Sequence, residues 1–498
     1  MITAVPGAFQ AFVDTSLDDV LDGADDRSAA ERGAVRLFHS VASDVPAYGS
    51  FLREHGVDPA SIRSFEDFLT LPLVAKQNYL YKYPLADLCR GGRLDSCDMV
   101  AVSSGSTGKP TFWPRSPADE LPVARRFEQV FFDSFRADTQ STLAVVCFAL
   151  GTWVGGLYTA QTCRYLAARG YPLTVIAPGN NKAETLRVVG ELGPRFQQVV
   201  LLGYPPFLKD VIDTGLADGV DWSPLSVKLV MAGEVFSEEW RTLVGQRVGS
   251  SAAYFDSASL YGTADAGVLG NETPLSICIR RYLAEHADAA RELFGESRLP
   301  TLVQYDPRVR FFEARDGTLL FSGDNGVPLV RYHIADSGGL VGYEEMLTFA
   351  RQLGFDPVAE VRRASDRGVR PLPFAYVFGR ADFTISYFGA NVYPENVTVG
   401  LEQPPVDQWV TGKFVMQARE DSDRDRYLSI VVELAPGVVG EAAIVDAIAD
   451  SVLQHLLRLN SEFAHYVPRE RQSPRVELRP HGDPEYFPIG VKHRYTRR

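Results

Sequence analysis

Val102-Ser-Ser-Gly-Ser-Thr-Gly-Lys-Pro110 lies between two short apolar runs, Met99–Val102 and Thr111–Trp113, that read as strands. Gly105 and Gly108 let a strand–turn–strand tip fold its backbone N–H groups inward. The hydroxyls of Ser103, Ser104, Ser106 and Thr107 add donors, and Lys109 adds a mobile positive charge. That inventory suits a polyphosphate. It is not a Walker loop, because only two residues separate Gly105 from Gly108 and Pro110 stands where a magnesium-binding Ser or Thr would open a helix. A solvated surface turn has the same composition, so the surrounding chain must decide.

Downstream, strand-like and helical runs alternate. Leu143–Phe148, Leu173–Ala177, Gln198–Leu202 and Val227–Met231 are β-rich, and Ala183–Leu192, Pro206–Thr214 and Ser237–Val248 have helical spacing. Ser237 caps the last of these, with Glu238 and Glu239 in its first turn. The alternation predicts a parallel sheet covered on both faces, with ligands at the carboxyl ends of strands. Upstream, residues 28–92 read as helical, punctuated by Pro46, Pro59 and Pro72. From about residue 300 to 345, Phe311–Ala314, Leu319–Ser322 and Val327–Tyr332 predict an antiparallel or barrel-like portion. Beyond Gly379–Arg380 come a hairpin-like run (Phe383–Phe388), the strands Phe414–Gln417 and Leu428–Leu434, and the helix Glu441–Leu457. The expected class is α/β: a large domain over 1–379 with mixed or parallel sheets, and a small mobile α+β lid over 380–498.

The totals narrow the function. At 498 residues the chain exceeds what one core organises, and 45% hydrophobic with 23% charged residues is ordinary for a soluble globular protein. A formal net charge of −13 argues against nucleic-acid or anionic-membrane partners. Cys89, Cys97, Cys147, Cys163 and Cys278 form no C-x-x-C pair, which fits reduced thiols in the cytoplasm and no zinc site. The acidic Met1–Asp26 stretch lacks a basic leader, so a secretion signal is not expected. Ser141–Gln161 carries no charge, but its glycines and threonines fit a buried strand, turn and helix better than a membrane span.

Several separated pieces, in order, resemble the adenylate-forming superfamily (acyl-CoA synthetases and adenylation domains), and the phenylacetate–CoA ligase branch most. They are Val45-Pro-Ala-Tyr48 with Gly56-Val-Asp-Pro59 and Leu71-Pro72, then Ser103–Pro110, then Phe148-Ala-Leu-Gly-Thr-Trp-Val-Gly-Gly156. Ala232-Gly-Glu234, Tyr261-Gly-Thr-Ala-Asp265, Arg331-Tyr-His-Ile-Ala-Asp336, Gly379-Arg-Ala-Asp382 and Pro488-Ile-Gly-Val-Lys492 follow. The resemblance implies activation of a carboxylic acid, expected to be aromatic, as an acyl-adenylate with loss of pyrophosphate. Transfer to a nucleophile follows. The default acceptor is the thiol of coenzyme A; an amine, another small nucleophile or a carrier protein is the alternative.

It also implies roles. Ser103, Ser104, Gly105, Ser106, Thr107, Gly108 and Lys109 would hold the β- and γ-phosphates of ATP, and Lys492 would stabilise the transition state. Asp265 stands where the family has a carboxylate associated with Mg²⁺. Gly233 and Glu234 would lie on the adenine side, with Tyr261, beside Gly262, stacked on the base. Asp336 would accept the ribose hydroxyls, Arg380 would reach the nucleotide, and Asp382 would be the hinge. Phe148, Gly151, Trp153 and Tyr204 would line the acyl pocket, and Gly389 the acceptor channel. Each has a plainer alternative: a core aromatic for Tyr261, a turn aspartate before Ser337-Gly-Gly339 for Asp336, an ion pair for Arg380, a solvated basic tail for Lys492. Three departures stand out. Ala264 replaces a hydroxyl residue, Ile334-Ala335 replaces Thr-Gly, and Val491 separates Gly490 from Lys492. They leave room for a non-catalytic nucleotide- or acyl-binding regulator.

Overall fold

The β-rich runs between residues 142 and 380 collect into a single sheet, whose central strands are too apolar on both faces to stand at a surface. The computed structural model describes residues 4–103, 111–250, 252, 254–295, 299–380, 384–487 and 495–496. Two strands, β1 (Met99–Ser103) and β2 (Thr111–Arg115), form a separate ribbon. The large sheet uses β3 (Thr142–Val146), β4 (Leu173–Ile176), β5 (Gln198–Gly203), β6 (Val227–Ala232), β7 (Ser257–Thr263), β8 (Gly267–Asn271) and β9 (Thr301–Gln304). It also takes β10 (Phe311–Arg315), β11 (Thr318–Gly323), β12 (Leu329–Val341) and β13 (Phe374–Arg380). The spatial order is β10-β11-β12-β13-β9-β8-β7-β6-β5-β3-β4.

From β4 to β7 the pairs are parallel, crossed by the helices Val154–Ala168, Lys182–Leu192, Pro205–Ala217 and Glu238–Arg247. Every residue of β3 and β5 is buried, as strands covered on both faces must be. Beyond β7 the pairings among the described residues turn antiparallel. The portion over 300–345, expected to be antiparallel or barrel-like, is a bulged, antiparallel continuation of the same sheet. Its third strand does not stop at Tyr332 but runs to Val341. Gly338 and Gly339 are no turn: a Cβ on them would meet the Tyr376 carbonyl oxygen at 2.0 Å and its hydroxyl at 2.3 Å. They are small so that the chain around Tyr376 can lie against them.

The chain divides into two units. One comprises Met1–Ser103, Phe112–Gly203 and Val211–Gly379; the other comprises Ser104–Thr111, Tyr204–Asp210 and Arg380–Arg498. In the first, the helices Arg27–Asp44 and Pro46–Glu54 bury Phe38, Tyr48 and Phe51 in one core with Tyr261 and Tyr332. In the second, β14 (Ile385–Tyr387) and β15 (Ala390–Val392) make a hairpin, and β16 (Val410–Glu420), β17 (Arg426–Leu434) and β18 (Arg475–Arg479) make a sheet. The helix Ala442–Leu459 buries Ile444, Ile448, Val452 and Leu456, one residue per turn. Among the described residues no helix is long and apolar enough to cross a membrane.

Candidate active site

Asp265 sits in the turn between β7 and β8, 5% exposed. Gly262 allows the two strands to close beneath it, since a Cβ there would come within 2.7 Å of the Gly267 carbonyl oxygen. The Asp265 Oδ2 accepts from the Tyr332 hydroxyl, and the Lys76 ammonium lies 3.5 Å from its Oδ1. Lys76 had no mark in the sequence. It arrives because Val74 pairs with β12: the Val74 N–H donates to the Arg331 carbonyl (3.2 Å), and the His333 N–H donates to the Val74 carbonyl (2.8 Å). Only a long-range pairing of this kind distinguishes it from other lysines.

Asp336 follows an irregularity in β12. Between the pairs Leu320–His333 and Thr318–Ser337 the register slips, and within it Ala335 takes φ +66°. A second slip lies next to Arg331, at φ +50°. Such bulges re-aim side chains. Here the carboxylate of Asp336, 5% exposed, accepts from the Tyr261 hydroxyl at 2.7 Å. The Tyr261 ring is buried in the core and stacks on Phe312, with centroids 6.3 Å apart. The Tyr261 ring thus packs into the core, and its hydroxyl holds Asp336. Arg331 is taken up bidentately by Glu313 and by the carbonyls of Leu69 and Leu71, which fixes the helical start to β12.

Two pairs thus interlock. Tyr261 and Asp265 come from one end of β7; Tyr332 and Asp336 come from β12; each tyrosine holds the other strand's aspartate.

On the neighbouring parallel strands, Gly233 takes φ +88° and Glu234 is buried. Arg280 donates to the Phe236 carbonyl, and the Arg241 guanidinium lies 5.0 Å from the centre of the Phe236 ring, so the loop after β6 is anchored from below. Phe148 is buried, and Gly151 turns at φ +87°. Trp153 bridges Val102 of β1, where the Val102 N–H donates to the Thr152 carbonyl at 2.9 Å. Ser103 accepts from the Trp113 ring N–H at 3.2 Å. These residues belong to the first unit. Tyr204 and Gly389 belong to the second, where a Cβ on Gly389 would come within 2.1 Å of the Tyr204 ring and Tyr204 lies 5.4 Å from Tyr466. Ser104, Gly105, Ser106, Thr107, Gly108, Lys109, Asp382, Lys492 and the Arg380 side chain lie outside the described residues.

The donor set fits ATP with Mg²⁺. Asp336 is the kind of group that can accept a ribose hydroxyl beside the Tyr261 hydroxyl, since a carboxylate has about four lone-pair sites. Asp265 offers a hard oxygen of the kind Mg²⁺ takes singly, the remaining ligands coming from phosphates and water.

No family model matches the chain. It is 25% identical over 377 residues, 75% of each chain, to a phenylacetate-coenzyme A ligase of Thermus thermophilus. A 2-hydroxyisobutyryl-CoA ligase, solved with 2-HIB-AMP and CoA in its thioesterification state, superposes with a TM-score of 0.65 at 15% identity, covering 95% of this chain and 90% of that one. The same ligase with 2-HIB-AMP in its postadenylation state gives 0.54 at 14% identity, over 95% and 88%.

Proposed function

We propose that this chain, placed in the adenylate-forming superfamily by its relationship to a phenylacetate-coenzyme A ligase and by its fold, joins a carboxylic acid to the α-phosphate of ATP and passes the acyl group to a nucleophile. The observation that carries this reading is the interlocked pair Tyr261–Asp336 and Tyr332–Asp265, in which each buried carboxylate is met by a tyrosine of the other strand and the Lys76 ammonium lies 3.5 Å from Asp265. Buried carboxylates are costly unless something positive or donating meets them, and a magnesium nucleotide supplies both kinds of partner. Asp336 accepts the ribose hydroxyls while Tyr261 fixes its orientation. Asp265 takes the metal side, and Lys76 lies where it can share its charge between that carboxylate and a phosphate. Lys109 and Lys492 balance the charge of the departing pyrophosphate and of the reacting α-phosphate. Mg²⁺, when bound, neutralises phosphate oxygens and orients them.

The acid is aromatic on this reading, with Phe148 and Trp153 offering flat contact area, and the acceptor is coenzyme A. A reducing, cytoplasmic setting suits its five free cysteines. The test is pyrophosphate release on an aromatic and aliphatic acid panel with ATP and Mg²⁺, followed by product mass with CoA, amines and a carrier protein offered in turn. Release that depends on one acid class, with a thioester product, is expected. ATP binding without release on any acid would make the chain a regulator instead.

A further inference from the structure

The turn that carries Asp265 is gripped from behind by two arginines that the reaction above does not use. Arg115, the last residue of β2, is 1% exposed and donates through Nη2 to the Ala264 carbonyl. Arg310, 3% exposed, donates through Nη2 to the Ala266 carbonyl (3.3 Å) and to Asn325 Oδ1 (2.7 Å), and through Nη1 to the Val309 carbonyl (3.0 Å). The two guanidiniums therefore hold the carbonyls on either side of Asp265. Among the described residues, their hydrogen bonds go to carbonyl and amide oxygens rather than to carboxylates, and the buried Nε of each has no partner. Burial pushes Arg310 below the usual arginine range, and the neighbouring Arg115 charge adds to that.

Burying two like charges that hydrogen-bond to neutral oxygens costs stability, and the Asp119 and Asp324 charges offset that cost only in part. The packing leaves the arginines little choice of position. A Cβ on Gly326 would meet the Pro114 carbonyl oxygen at 2.1 Å, and one on Gly323 would sit 3.0 Å from Arg310 Cδ. On the far side, a Cβ on Gly267 would lie 3.1 Å from the Tyr158 hydroxyl. The chain is glycine wherever the clamp closes.

We infer that Arg115 and Arg310 are positioning residues for Asp265: they fix the Thr263–Gly267 turn so that its carboxylate stands against Lys76 and Tyr332, and they tie β2 to it. The consequence for catalysis rests on the ligase reading; the geometric claim does not. The test combines kinetics with crystallography on Arg115→Met, Arg310→Met, Asp265→Asn and the double variants. Each methionine variant is expected to lower kcat for acid-dependent pyrophosphate release about 10–100-fold, the range seen when groups supporting a ligating side chain are removed. Each is also expected to raise the Mg²⁺ concentration for half-maximal rate and to shrink the thermal shift given by ATP with Mg²⁺. Combined with Asp265→Asn, neither should lose more than Asp265→Asn alone, because both act through one carboxylate. Arg115→Lys, which keeps one donor for the Ala264 carbonyl, should recover part of the loss. Should a methionine variant not fold, the lysine variants at both positions carry the same measurements.

In the crystal structures, Asp265 should leave Lys76 and Tyr332. If it stays on both, or if the double-variant losses are additive, the inference is overturned. If the wild-type protein releases no pyrophosphate with any acid, the ligase reading falls and the crystal structures alone decide the positioning.

Discussion

Two buried charge clusters share the first unit, and they are built differently. Around Arg241 the network is closed: its guanidinium takes both oxygens of Glu272 (2.7 and 2.9 Å), one of Glu238 (3.0 Å) and the Ser257 hydroxyl (2.7 Å), while Arg280 takes the other oxygen of Glu238. Burial works to raise Glu238, but Arg241, Arg280 and Arg281 hold it below the usual carboxylate range. Around Asp265 the network among the described residues is looser. Its carboxylate is met by the Tyr332 hydroxyl, and the Lys76 ammonium stands at 3.5 Å, beyond hydrogen-bond length. A closed network holds a fold. A loose one, equally buried, keeps acceptor capacity for a ligand.

That contrast can be broken in descending steps. Arg241→Met leaves Glu272 and Glu238 without their main partner and should cost about 3–5 kcal/mol of stability. Urea or thermal unfolding reads it, and a variant that unfolds with the wild type removes the structural half of the comparison. Asp265→Asn should do the reverse: pyrophosphate release falls about 10²–10³-fold, as when one preorganised electrostatic group is lost, with the thermal midpoint nearly unmoved. A large stability loss at unchanged rate would move Asp265 into the structural class.

Asp119, 7% exposed beside the Arg115 clamp, tests how well that flank tolerates charge. Burial pushes its carboxyl up to about 6, against a smaller opposing pull from Arg115. A folded-state value above the unfolded one means stability is fully present below about pH 4 and is lost as pH rises through about 6. The loss is on the order of 2–3 kcal/mol, and Asp119→Asn should flatten the stability profile across that window. Tyr261→Phe removes one hydrogen bond to Asp336 and should raise KM for ATP roughly fivefold, about 1 kcal/mol; an unchanged KM would detach Tyr261 from the nucleotide. The smallest effect is expected at Ala335, held at φ +66°. Ala335→Gly should stabilise by up to about 1 kcal/mol by relieving a left-handed alanine. Any rise in the unfolding midpoint supports this, and a fall means the Ala335 side chain packs usefully.

Much of this was legible in the chain. The runs Leu143–Phe148 and Gln198–Leu202 announced the parallel strands found at Thr142–Val146 and Gln198–Gly203, buried throughout, and Ser237 announced its helix, where its hydroxyl caps the Trp240 N–H at 3.1 Å. The motif residues Tyr261, Asp265 and Asp336 were picked out, but not their mutual contacts. β12 was cut short at Tyr332 because its bulges break the period of two on which strand reading depends, and the turn at Ser337-Gly-Gly339, offered as the plainer alternative for Asp336, gives way to strand whose glycines admit the close approach of Tyr376.

By itself the sequence determined many of the strands and helices, which follow from local periodicity, and its short motifs marked the residues to which the resemblance assigns adenylation roles. Only the tertiary structure decided that Lys76 meets Asp265, that Tyr261 holds Asp336, and that Arg115 and Arg310 stand behind the turn. Those contacts join residues tens to hundreds of positions apart. Their chemistry depends on what burial brings together, and no local pattern in the chain records that.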